Sequence, residues 1–128
     1  MDAKLKEVLL QIEQTGAWYG IQIVSLGQRN PIDDTPLHTA CSWGEMAPVK
    51  TLIDAGADVN AKGDQDATPL FNAVFGGSAE VVRVLVESGA DPDRRDKWGR
   101  RPIDIARNVS ASSEVISALE AGKVPTGH

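Results

Sequence analysis

Apolar residues recur with helical spacing in three stretches of this chain. Leu5, Val8, Leu9 and Ile12 stand at i, i+3, i+4 and i+7. One face of residues 4–14 is therefore apolar, and the stretch is predicted to form an amphipathic helix ended by Gly16. A similar face runs through Val49, Leu52 and Ile53, and another through Val81, Val82, Leu85 and Val86. Gly56 and Gly89 follow these faces, placed to supply left-handed C-caps. The loops at 57–67 and 90–101 contain Asp, Asn, Gly and Pro, which favour turns.

The pattern has a fixed period. Thr35-Pro36-Leu37 returns after 33 residues as Thr68-Pro69-Leu70, and Pro102-Ile103 follows at the same step. Ala40, Ala73 and Ala106 keep that interval, as do Gly56, Gly89 and Gly122. Each threonine can N-cap a helix whose first position takes the proline, where a missing N–H costs no hydrogen bond. Leu37, Leu70 and Ile103 are expected to point inward. The alanines one short turn further on let neighbouring helices approach closely, and Gly44 and Gly77 can end this first helix. A period of this length marks stacked helical hairpins, an architecture that works as a binding surface.

The period has irregularities. Pro48 stands where the next copy has Val81, so the helix must begin close to it. Glu80-Val81-Val82 recurs as Glu114-Val115-Ile116 at a step of 34, which puts one inserted residue in the connection around residues 108–113. Gly76 has no glycine one period earlier, where Trp43 stands, so it is expected to tolerate substitution better than Gly56 or Gly89. From Gly16 to Thr35 is 19 residues, against 12 from Gly56 to Thr68, so seven extra residues sit around 17–25. Trp18, Tyr19, Ile21 and Ile23 are too apolar for a free loop. The segment is expected to fold back on the first full repeat, with a short strand at 21–24.

Thr35-Pro36-Leu37-His38-Thr39-Ala40, together with Gly56-Ala57-Asp58-Val59-Asn60-Ala61, resembles the core motif of an ankyrin repeat. Two good copies and a third, worn one cover roughly residues 30–122. The resemblance implies an all-α solenoid of stacked antiparallel helix pairs with projecting turns, which binds other proteins and is not an enzyme. It divides a single domain into an N-terminal capping helix with insert (1–29), repeats at 30–62 and 63–95, a C-terminal capping repeat (96–122) and a loose tail (123–128). In the family the motif histidine resembles a structural tie between repeats. Only His38 matches it, Phe71 and Asp104 occupying the equivalent positions, and Arg101 replaces the threonine of the last copy.

Composition narrows the class. A chain of 128 residues with one cysteine suits a single domain without an internal disulfide and fits a reducing, cytoplasmic setting. Asp2, Lys4, Lys6 and Glu7 interrupt any signal-peptide stretch, and no run reaches membrane length. Net charge is −5, unevenly spread. Residues 30–93 carry eleven acidic groups against Lys50, Lys62 and Arg83, whereas 94–107 hold six bases against Asp96 and Asp104. Either the charges pair between turns on a solvated surface, or the acidic middle attracts a basic partner. No groove-reading or base-stacking element accompanies the basic stretch, so nucleic acid is not an expected partner.

Catalytic constellations are poor. His38 and Cys41 stand at i, i+3, but the repeat motif accounts for the histidine and the core for the cysteine. Asp64-Gln65-Asp66 and Asp91-Pro92-Asp93 lack the glycine and distal glutamate of a calcium loop. No cofactor or metal is expected. The family resemblance instead puts partner contacts on the turn tips and inner helices: Ile32, Asp34, Asp64, Gln65, Asp66, Trp98 and Arg100 from the tips, and Ser42, Trp43 and Phe75 from the helices. Trp43, Phe75 and Trp98 are expected to form an aromatic strip flanked by carboxylates. The free chain is expected to be a monomer that binds a partner protein. Its likeness to short bacterial members of the family implies an inhibitor or immunity-type role. The competing expectation is a structural or assembly module acting through self-association or as part of a larger complex.

Overall fold

A computed structural model of the chain describes residues 2–122, so the tail expected at 123–128 lies outside the described residues. Seven helices and no strand are found among them: α1 (Ala3–Glu13), α2 (Pro36–Ser42), α3 (Met46–Asp54), α4 (Pro69–Gly76), α5 (Ala79–Glu87), α6 (Pro102–Asn108) and α7 (Ser113–Ala121). α2, α4 and α6 pack in sequence as an inner row, and α1, α3, α5 and α7 as an outer row. The fold is thus the all-α solenoid that the repeat predicts. No helix of the described residues is long and apolar enough to cross a membrane.

The repeated positions make the core. Leu37, Leu70 and Ile103 are buried beneath the inner row, and Ala40, Ala73 and Ala106 are fully enclosed where inner helices meet. Ile12, Leu52, Leu85 and Leu119 form the matching buried line of the outer row. Asp2 caps α1 by accepting from the Lys4 N–H (3.0 Å). Ser78 and Ser112 cap α5 and α7 by accepting from the Val81 and Val115 N–H groups, both at 3.2 Å. α3 begins two residues ahead of Pro48, so the proline falls in the first turn, where its N–H is not required.

Left-handed backbone keeps the same period. Asp33, Asp66 and Gly99 at the turn tips have φ of 72°, 64° and 79°, and Gly44, Gly77 and Ser110 after the inner helices have φ of 72°, 74° and 53°. Ser110 therefore holds the glycine position of the third copy. The extra residue comes after it, as Ala111: Gly77 to Ser110 is 33 residues, whereas the caps Ser78 to Ser112 are 34 apart.

The N-terminal segment folds back as expected, but without a strand. Gly16 opens a 3-10 turn, Gly16–Trp18, instead of simply closing α1. Trp18 is completely buried, and its indole N–H donates to the Thr39 hydroxyl on α2 (2.8 Å). The ring supports the inner row at the end where no helix precedes α2. Residues 21–24 pair with side chains, not with a neighbouring strand: the Ile23 N–H donates to Glu13 Oε2 (2.9 Å) and the Val24 N–H to Gln28 Oε1 (2.8 Å). Tyr19, expected to pack, stands in solvent.

Gly76 also departs from expectation. A Cβ on it would lie 2.6 Å from the Cys41 carbonyl oxygen and 3.0 Å from the Gly44 nitrogen, because α2 and α4 touch backbone to backbone at their C-termini. Gly56 and Gly89, by contrast, have open space around them and are constrained only by φ near 100° (103° and 101°).

Candidate functional site

Three turns project from the stack, each closed in the same way. The N–H groups of Asn30, Gly63 and Asp96 donate to the carbonyls four residues on, at 3.0, 2.7 and 2.9 Å. In the first and third turns the side chain at that position organises the tip. Asn30 Oδ1 accepts from the Ile32 and Asp34 N–H groups (3.2 and 3.0 Å), and Asp96 Oδ1 from those of Trp98 and Arg100 (both 2.9 Å). Gly63 has no side chain to do this. The Asp34 carboxylate reaches over from the preceding turn and accepts from the Asp64 N–H (2.8 Å). A Cβ on Gly63 would meet that carboxylate oxygen at 2.3 Å and His38 Nε2 at 2.6 Å.

His38 is the second tie between these repeats, as its motif implies. The Thr35 N–H donates to Nδ1 (3.1 Å), which leaves the ring hydrogen on Nε2 to donate to the Ala67 carbonyl (2.9 Å). Phe71 replaces the imidazole in the next copy, and the buried Thr68 hydroxyl accordingly lacks a partner. In the third copy Asp104 takes over, accepting from the Arg101 N–H (2.9 Å) and guanidinium (3.3 Å).

Burial pushes the His38 imidazole below its ordinary value, against the pull of Asp34 and the Ala67 carbonyl. A proton added at Nδ1 would also face the Thr35 N–H. The unfolded chain titrates near ~6.5 and takes up the proton first, so this contribution to stability is complete above that pH. It is lost as pH falls from there toward the folded value. Denaturant midpoints measured between about pH 7 and about pH 5 should therefore fall for the wild type and fall less for His38→Asn, since ordinary carboxylates titrate lower, near ~4. Identical slopes for the two proteins would show that His38 is not the group responsible.

A groove of about 270 Å³ runs between the tips and helices α4 and α6. Phe71, Phe75, Ile105 and Val109 supply its apolar lining, and Asp34, Asp64, Asp96 and Arg100 its charges. Phe75 is 65% exposed there, a large apolar group facing solvent. Asp96 is already committed. Burial, the largest influence, raises its carboxyl, but the N–H and guanidinium of Arg100 and the N–H of Trp98 together hold it below the usual carboxylate range. Asp64 and Asp66 are exposed and make no ion pair among the described residues.

The structure gathers five of the ten expected contact residues around this groove: Asp34, Asp64, Gln65, Phe75 and Arg100. Asp34 is only 8% exposed and serves the neighbouring turn. The expected aromatic strip does not form along it. Trp43 is half-buried against the core, and Trp98 is 55% exposed on its own tip. There Lys97 Nζ and Arg100 Cζ sit 5.4 and 5.0 Å from the Trp98 ring centroid, so two cations lie within cation–π range of it. Ile32 and Asp66 are exposed at the other tips, and the Ser42 hydroxyl donates back to the Thr39 carbonyl (2.7 Å). Sequence reasoning missed the turn organisers Asn30 and Asp96. Their signal was their shared register with Gly63.

Nucleophilic chemistry has no support in the site. Cys41 is fully enclosed and burial pushes its thiol up, while both His38 nitrogens are engaged. Among the described residues no three or more His, Cys, Asp or Glu side chains are grouped to hold a metal ion.

Residues 8–96 match a family model described as "Ankyrin repeats (3 copies)", a span that begins in α1 and ends at the third tip. A 42-residue stretch is 50% identical to alpha-latrocrustotoxin-Lt1a of Latrodectus tredecimguttatus, covering 33% of this chain and 3% of that protein.

Proposed function

Because this chain belongs to the ankyrin repeat family, whose members are generally protein-protein interaction modules and typically non-catalytic, we propose that it binds a partner protein across the tips and the groove beside α4 and α6. The observation that carries this reading is Phe75. A phenyl ring held in solvent on an inner helix, in one groove with Asp64, which makes no ion pair among the described residues, gives a partner an apolar anchor near a carboxylate. The partner surface that suits it is apolar and basic. Trp98, with Lys97 and Arg100 close to its ring, adds a second anchor at the third tip. Binding by occupation makes the protein an inhibitor, of the immunity type, when the surface it covers is the partner's working face. The buried Cys41 thiol suits a reducing, cytoplasmic setting.

The experiment is affinity capture from the native cell with the wild type and two variants. Phe75→Ala and Trp98→Ala should each weaken capture of the retained protein by about tenfold or more, while shifting unfolding by less than ~1 kcal/mol. Trp43→Ala serves as the contrast, since its ring packs on the core and its loss should lower stability first. Undiminished capture by both variants would place the binding face elsewhere.

A further inference from the structure

Large exposed apolar side chains fall into two groups among the described residues. Ile32, Phe75, Trp98 and Val109 belong to the tips and their groove, whereas Leu10, Tyr19 and Val24 lie at the N-terminal end of the stack. There a second groove, of about 390 Å³, runs between α1 and residues 22–24. Leu9, Leu10, Ile23 and Val24 make it apolar, and Lys6 and Glu13 border it on the α1 side. Leu10 is 57% and Val24 70% exposed.

We propose that this face pairs with the same face of a second copy, α1 running antiparallel to α1 across a two-fold axis. Lys6, Leu10 and Glu13 stand at i, i+4 and i+7, and so form one stripe along the helix. With a rise of about 1.5 Å per residue, Lys6 lies about 6 Å to one side of Leu10 and Glu13 about 4.5 Å to the other. An axis near Leu10 reverses the second stripe. Lys6 then faces Glu13 of the partner subunit, and the two leucines meet between these pairs, each contact occurring twice as two-fold symmetry requires. A parallel arrangement would set base on base and acid on acid.

The chemistry of the occupant follows from the stripe, which calls for an apolar group between an acid and a base in reverse order. A second copy supplies it. Neither Lys6 nor Glu13 has an ion-pair partner among the described residues. One Glu13 oxygen is fixed by the Ile23 N–H (2.9 Å), which orients the carboxylate and leaves its other oxygen available. The two grooves share no lining residue, so pairing at this end leaves the tip groove uncovered.

Sedimentation equilibrium of the full chain over a range of concentrations reads the outcome. The average mass should rise from one chain toward two. Lys6→Glu and Glu13→Lys should each weaken association by about tenfold or more, because the opposed groups become like charges. Mixing the two variants should restore the dimer, since every contact between unlike chains is again acid against base. Leu10→Asp should remain monomeric, and Glu13→Gln, which keeps an acceptor for Ile23, should weaken pairing without disturbing the loop. Circular dichroism confirms that each variant is folded. A wild type that stays monomeric throughout, a mixture that fails to regain mass, or a Leu10→Asp variant that associates like the wild type each overturns the proposal.

Discussion

Trp18→Ala is expected to lower the unfolding free energy by about 3–5 kcal/mol, the range for removing a fully buried large aromatic. That is a large share of the ~5–15 kcal/mol total typical of natural proteins. The indole is completely enclosed and its N–H is bonded to Thr39, so its removal opens a cavity and strands a hydroxyl. The position makes the loss worse. Trp18 stands at the end of the inner row, where no inner helix precedes α2 among the described residues. Trp18→Phe should recover most of the loss, because it keeps a ring while forfeiting one hydrogen bond worth about 1 kcal/mol. Urea titrations of both variants give the comparison. A loss below ~1 kcal/mol for alanine would mean that residues 15–28 are not docked in solution.

Gly76→Val is expected to cost about 3 kcal/mol or more, at or beyond the upper end for overpacking a core. The clash is with the Cys41 carbonyl and the Gly44 amide, main-chain atoms that cannot rotate away, so α2 and α4 must separate. Gly56→Val should cost less, about 1–3 kcal/mol, because only the left-handed backbone opposes it. Gly27→Ala, with open space and no positive φ, should change little. The order of the three, read from thermal unfolding, is the test. A mild Gly76 variant would show that the two helix ends stand further apart than the structure places them.

Much of the fold could be read from residues whose physics is local. Thr-Pro starts a helix and glycine ends it whatever surrounds them, so the repeat and the inner alanines were visible in the sequence. What escaped depends on neighbours distant in the chain. Gly76 looked dispensable because no glycine matches it one period earlier, yet the contact it permits is with Cys41 and with Gly44 just past the end of the adjacent helix. Ile21 and Ile23 alternate like a strand, but Glu13 and Gln28 accept the backbone N–H groups that a strand partner would have taken. At the site, register placed Phe75, Asp64 and Gln65 beside a common groove. It could not show that Asp34 turns inward, because that follows from Gly63 lacking a side chain to organise its own turn. Trp43 has an irregular register as well, yet its ring is half-buried against the core.

The polar ties between repeats are unequal. His38 to Ala67, Asp34 to Asp64, and Asn60 to both Gly89 and Asp91 cross the first seam, whereas the second is bridged at the tips by the Lys97 N–H to the Gln65 carbonyl (2.9 Å). Partial opening of the stack should therefore begin with α6 and α7, at a free energy well below that of global unfolding. α6 carries Ile105 and Asn108, and Val109 follows at its C-cap; together they form the far wall of the tip groove. One wall is thus stiff and the other labile. A partner seated between them would spend part of its affinity on keeping α6 in place, and would protect that hairpin from fraying in return.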